Sequence, residues 1–268
     1  MRYGFCTGFA TEIKDRIDYP LLDAIKAAGY DYVEFPLMLT AALSETAFEE
    51  LVGYLKKLEL AADVTCNMFP PALKLAGPQA DRGRIAEYLD TAFERMSRLG
   101  TYKLVFGSSG ARDLPPGMGH DEGISRLSAL LRELVIPRLE RYRIHLVMEP
   151  ISRQEANFIT SLTEAMQVVE RAAHPQVTLL ADSVHMLRDG EDMAALERYF
   201  PFLNHIHVSE LQRRLPTGSY SEQLAGFLSR LAQMGYDKTI SFEPVPCREP
   251  DGIGTALRLL QSVFHQKP

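Results

Sequence analysis

The chain has 268 residues, 46% of them hydrophobic, enough for one large domain with a sizeable core or for two small ones. Its net charge of −6, without any block of like charges, argues against a nucleic-acid partner, which needs a basic patch to face phosphates. No apolar run reaches the roughly 18 residues that a membrane span requires.

The segment MRYGFCTGFATEIKDR lacks an apolar stretch followed by a cleavage site and reads as a first strand. Cys6, Cys66 and Cys247 have no CxxC spacing, which fits reduced thiols in a cytoplasmic protein. From there, short apolar segments alternate with helix-period segments to the end of the chain. Strands are expected at Arg2–Cys6 and at 31–35, 61–65, 102–106, 144–148, 177–181, 202–208 and 239–242. Helices are expected at Tyr19–Ala28, Glu45–Leu58, 80–99, 122–141, 162–173, 193–200, 222–234 and 254–264. Eight strand–helix units over this length fit an α/β chain folded as one (β/α)8 barrel spanning residues 1–268. A doubly wound sheet is the rival, but strand one is followed by Gly8 alone and no GxGxxG occurs.

Four polar side chains stand at the C-terminal ends of the last four strands: Glu149, Asp182, His207 and Glu243. A period of two turns them inward. In the fifth strand Val147 and Glu149 oppose Leu146 and Met148. In the sixth, Leu180 and Asp182 oppose Leu179 and Ala181, and in the eighth Ser241 and Glu243 oppose Ile240 and Phe242. Chemistry in such barrels gathers at this face. Three carboxylates and one imidazole make an oxygen-rich shell for Mn²⁺, Co²⁺ or Mg²⁺. Two of them, Glu149 and Glu243, come from strands placed to approach a substrate from opposite sides, as acid and base. The loops at 66–79 and 107–121 are long, rich in Gly and Pro, and sit on the same face.

Several residues carry plainer readings. His205 is expected below His207 as a hydrogen-bonded core histidine, and His145 deep in its strand as structural. Glu34 ends strand two and either reaches the pocket or is a plain surface residue, Cys6 and Cys66 either line the pocket or are small packing thiols, and Phe35 and Phe69 are candidates for apolar pocket lining. Arg112 and Asp113 either touch substrate or cap the next helix.

The segments EPISRQEANF (149–158), LADSVHM (180–186), HIHVSELQRR (205–214) and SFEP (241–244) resemble the tagatose/psicose 3-epimerase group of xylose-isomerase-like barrels. The loop FGSSGARDLPPG (106–117) resembles a strand-four loop of its sugar isomerases. The resemblance implies a divalent-metal-dependent isomerase that epimerises a small sugar through a cis-enediolate. Glu149, Asp182, His207 and Glu243 would be its metal ligands and Glu149 and Glu243 its acid/base pair. Glu155, His185 and Arg213 match residues that hold substrate oxygens. Leu211 and Gln212 depart from the Asn or Asp the group often has there. The same superfamily holds hydroxypyruvate isomerases and inosose isomerases and dehydratases, and a sugar-binding barrel without turnover is a further alternative, as is assembly into a homo-oligomer. An apurinic endonuclease would need additional His ligands early in the chain, yet no histidine precedes His120.

Overall fold

The computed structural model describes residues 1–7, 17–244 and 250–265. Strands β1 (Arg2–Cys6), β2 (Tyr32–Pro36), β3 (Ala61–Cys66), β4 (Lys103–Phe106), β5 (His145–Met148), β6 (Val177–Asp182), β7 (Leu203–Val208) and β8 (Thr239–Phe242) pair in parallel, in sequence order. β1 also pairs with β8, so the sheet closes into a barrel.

The period of two separates two apolar layers. Cys6, Tyr32, Val64, Cys66, Val105, Val147 and Leu180 fill the barrel interior. The alternate residues, among them Val33, Phe35, Phe106, Met148, Leu179, Ile206 and Phe242, pack outward against the helices. Gly4 faces Tyr32 across the β1–β2 pair, and a methyl group there would lie 2.1 Å from the tyrosine ring. The small residue on one strand therefore admits the large one on its neighbour.

The helices begin where a side chain can accept the unpaired first-turn N–H groups. Asp18, Ser44, Asp81, Ser161 and Ser221 do this for Tyr19–Ala28, Glu45–Leu58, Arg82–Leu99, Leu162–Ala172 and Glu222–Gln233. The helix expected over 122–141 is interrupted: His120–Leu130 passes through one wider π turn, Leu131–Val135, into Ile136–Tyr142. Pro137 explains the interruption, because its missing N–H and its ring cannot sit inside a regular helix. Short helices that the periodicity did not signal, Leu37–Ala42, Ser109–Arg112 and Ser183–Asp189, follow β2, β4 and β6 within two residues. Cys247 and Gly8 lie outside the described residues.

Candidate metal centre and active site

Parallel strands with a common inward parity deliver their last side chains to one point at the C-terminal mouth. One ligand-type atom each from Glu149, Asp182, His207 and Glu243 lies within 4.8 Å of the others, and all four residues are buried. His207 Nδ1 is 3.1 Å from Glu149 Oε1, 3.7 Å from Glu243 Oε2 and 3.9 Å from Asp182 Oδ2. Asp182 divides its carboxylate. Oδ1 accepts from the N–H groups of Val184 (2.6 Å) and His185 (3.0 Å), capping the helix Ser183–Asp189, while Oδ2 is left toward the cluster. Glu149 lies against Gly107, where a Cβ would fall 2.2 Å from Oε2. The glycine after β4 thus makes room for the β5 carboxylate.

Behind His207 stands Glu34, in the middle of β2 and wholly buried. Its Oε1 is 2.9 Å from His207 Nε2 and its Oε2 is 3.1 Å from His205 Nε2. A carboxylate only accepts, so both Nε2 atoms carry protons. His207 is thereby set to present Nδ1 to the cluster, the arrangement by which a carboxylate orients a metal-binding imidazole. Lys103 Nζ donates to Thr239 Oγ1, which lies 2.8 Å from His205 Nδ1, so the polar chain continues toward the barrel floor.

On the opposite side, Arg213 Nη1 donates to Glu243 Oε2 at 2.7 Å. Its Nη2 is 3.0 Å from His185 Nε2 and 3.5 Å from Glu155 Oε2. Glu155, at the exposed rim, also pairs with Arg188. His185 Nδ1 accepts from Ser152 N–H at 3.1 Å, so the ring proton belongs on Nε2. Two donors, one from Arg213 and one from His185, then face each other across 3.0 Å. An oxygen set beside them could accept from both. Arg213 holds this place with a left-handed backbone, φ +53°. Asn67, Ser108 and Ile159 have the same uncommon conformation, also in loops at this end of the barrel.

Burial governs the electrostatics. It opposes ionisation of Glu34, but the facing His207 and His205 rings hold that carboxyl well below the usual range. It lowers His205 to about 4, leaving that ring neutral. For His207 burial also works against charge, yet Glu34 and Glu243 raise it well above the ordinary imidazole value. Burial raises Glu243 to about 8; His207 and Arg213 pull the other way, while the crowding carboxylates of Glu149 and Asp182 push with it. Three buried carboxyls on one imidazole leave an excess of negative charge that protons offset in the absence of a cation. The donor set, three carboxylates and a nitrogen, suits a divalent ion.

His205 lies under His207 with ring centroids 5.0 Å apart, and His145 sits at the far end of the barrel beside Lys103, its pKa lowered by burial. Phe35 and Phe69 do not line the pocket. Both pack in the layer between barrel and helices, Phe69 edge-on to Phe106. Arg112 neither reaches the cluster's oxygens nor caps a helix. It is buried, and its guanidinium donates to the carbonyls of Phe106 (3.1 Å), Glu149 (2.9 Å) and Ile159 (3.1 Å), tying the end of β4 to both ends of the loop that follows β5. Asp113 accepts from Asn157 N–H instead of capping the next helix, whose N-cap is Gly119. Glu34 is not a surface residue. Its parity with inward Tyr32 was the signal that places it inside.

A family model described as a xylose isomerase-like TIM barrel matches residues 22–263. The chain belongs to that family. Among its relatives is a ketose 3-epimerase of Arthrobacter globiformis, 26% identical over 228 residues, which cover 81% of this chain and 74% of the relative. The D-psicose 3-epimerase of Clostridium cellulolyticum H10, solved with D-tagatose, superposes with a TM-score of 0.83 at 16% identity, covering 98% of this chain and 99% of that one. The D-allulose 3-epimerase of Methylomonas sp., solved with D-allulose, gives 0.82 at 20% identity, over 98% and 97% of the two chains. The IolI protein, solved with a bound zinc atom, gives 0.73 at 19% identity over 98% of each. At these identities the superpositions speak for the barrel, and the ligands belong to those proteins.

Proposed function

We propose that this xylose isomerase-like barrel is a divalent-metal-dependent isomerase that inverts a ketose at carbon 3. The observation that carries the reading is the placement of two buried glutamates, Glu149 and Glu243, from strands three apart in the barrel, on one imidazole nitrogen together with Asp182. Glu149, Asp182, His207 Nδ1 and Glu243 would hold the ion. When bound, it would polarise the ketose carbonyl and offset negative charge on the neighbouring oxygen.

The chain's own groups supply the proton transfers. One glutamate removes the proton from carbon 3, giving a cis-enediolate, and the other returns a proton to the opposite face. Arg213 steadies Glu243 through its 2.7 Å contact and, with His185, presents two N–H groups to a single substrate oxygen. Glu155 at the rim stands ready to accept from a sugar hydroxyl. The curated ketose 3-epimerase relative supports a ketose substrate in particular.

Incubation with Mn²⁺ and D-fructose, D-tagatose or D-allulose in D₂O tests this directly. Deuterium at carbon 3, read by NMR and accompanied by the epimeric sugar, is the expected result. Deuterium at carbon 1 alone would replace the reading with a 1,2-isomerase, and binding of all three sugars without any exchange would reduce the barrel to a sugar binder.

A further inference from the structure

The thiols of Cys6 and Cys66 are not used by the chemistry above. They project into the barrel from the mouth ends of β1 and β3, with Sγ atoms 3.4 Å apart and each residue 1% exposed. One oxygen of Glu34, on the strand between them, lies within 4.8 Å of both sulfurs. Cys6 Sγ is also 4.0 Å from Glu243 Oε1, the oxygen that turns away from the Arg213 contact. We propose that Cys6, Cys66 and Glu34 form a second cation site, selective for a thiophilic ion of the zinc–cadmium class, at the mouth end of the barrel interior beside the carboxylate–histidine cluster.

The spacing favours an ion over a disulfide. With β2 between them, the two Cα atoms stand about two strand spacings apart, roughly 9 Å. That exceeds the roughly 4.4–6.8 Å a disulfide tolerates. A tetrahedral ion with metal–sulfur bonds of ~2.3 Å needs sulfurs ~3.8 Å apart, a few tenths beyond the present distance and within reach of small side-chain rotations. Each Glu34 oxygen accepts one imidazole N–H and keeps a lone pair for an ion. The two sites would differ in kind. Three carboxylates favour a hard ion in one, two sulfurs a soft ion in the other. They would also be linked, because Glu34 serves the thiol-bound ion and orients His207. An ion there draws on that carboxylate, so zinc would inhibit without displacing the ion of the carboxylate–histidine cluster. On binding, both thiol protons pass to solvent.

Cadmium alone is the probe, added to chelator-stripped protein carrying Cys247→Ser, so that the third cysteine cannot contribute. Sulfur-to-cadmium charge-transfer absorbance is expected to saturate at one ion per chain. It should persist when His207→Ala is added and vanish when Cys6→Ser and Cys66→Ser are added, with far-ultraviolet circular dichroism reporting the fold. For the protein without substitutions, ¹¹³Cd NMR should show a resonance in the two-sulfur range. Only oxygen- and nitrogen-ligated resonances, absent absorbance, or a band that survives loss of both thiols would each overturn the site. None of these readouts involves turnover, so the thiol site and the epimerase reading can fail separately.

Discussion

Glu34→Gln keeps the shape of a buried side chain while removing its charge, and its effect can be followed atom by atom. Two ring N–H groups, from His205 and His207, now meet one amide oxygen and one NH₂ group. His205 can accommodate the NH₂ group, because moving its proton to Nδ1 gives it the Thr239 carbonyl, 3.0 Å away, as acceptor. His207 cannot do so without placing a proton on Nδ1, the atom that faces Glu149, Asp182 and Glu243. The amide oxygen is therefore expected at His207, which keeps its orientation but exchanges a charged acceptor for a neutral one. Hydrogen bonds to charged groups contribute roughly 1.5–3 kcal/mol against about 1 for neutral ones. Loss of such a partner behind a metal-binding imidazole weakens affinity about 10–100-fold. Calorimetric titration of stripped protein with Mn²⁺ should accordingly show a Kd raised by that factor. A Kd within twofold of the parent's, in a variant that melts at the same temperature, would refute the idea that Glu34 sets the imidazole.

Glu149→Gln and Glu243→Gln should each slow carbon-3 proton exchange by roughly 100-fold or more. Exchange within tenfold of the parent in both variants would remove them from proton transfer. His207→Ala should lower the metal content found by elemental analysis, and chelation should abolish an activity that Mn²⁺ or Co²⁺ restores; activity indifferent to chelation would contradict a metal-dependent reaction. Arg112→Ala leaves three buried carbonyls without their donor and should cost about 3 kcal/mol or more in denaturant unfolding, where a change under 1 kcal/mol would show that water replaces it. Glu243 is raised to about 8 from an ordinary 4.5, so the folded metal-free protein keeps a proton that the unfolded chain releases. The stability it contributes is complete below about 4.5 and is lost as pH rises to about 8. The melting-temperature gain from Mn²⁺ should therefore grow between pH 5.5 and 8, and an equal gain at both would disprove it.

The barrel was legible because eight apolar segments alternate with helix-period segments, and that order is also the order of hydrogen bonding around the sheet. The inward parity of Val147, Leu180 and Ser241, and hence of the polar residues two positions on, could be read from alternation alone. The same rule applied to β2 would have settled Glu34 inside with Tyr32, instead of leaving it between pocket and surface, and would have set Phe35 outside with Val33, away from the pocket it was expected to line. Arg112 was opaque for another reason. Its partners, the carbonyls at 106, 149 and 159, are backbone groups whose side chains say nothing of the contact. Pro137 falls inside the helix expected over 122–141, and whether a proline ends a helix or widens one turn depends on packing from both sides. The facing N–H groups of Arg213 and His185 needed coordinates, since the proton on Nε2 follows only from the Ser152 contact on Nδ1.

The divided carboxylate of Asp182 bears on how loading and recognition relate. One oxygen fixes the helix whose third residue is His185, and the other looks toward the cluster. An ion that stiffens this side chain stiffens the imidazole with it, and an imidazole pinned by sugar returns the favour through the same two N–H groups. Reciprocity makes the two effects equal in free energy. A ketose should hold the ion more tightly by the same factor that the ion tightens the ketose.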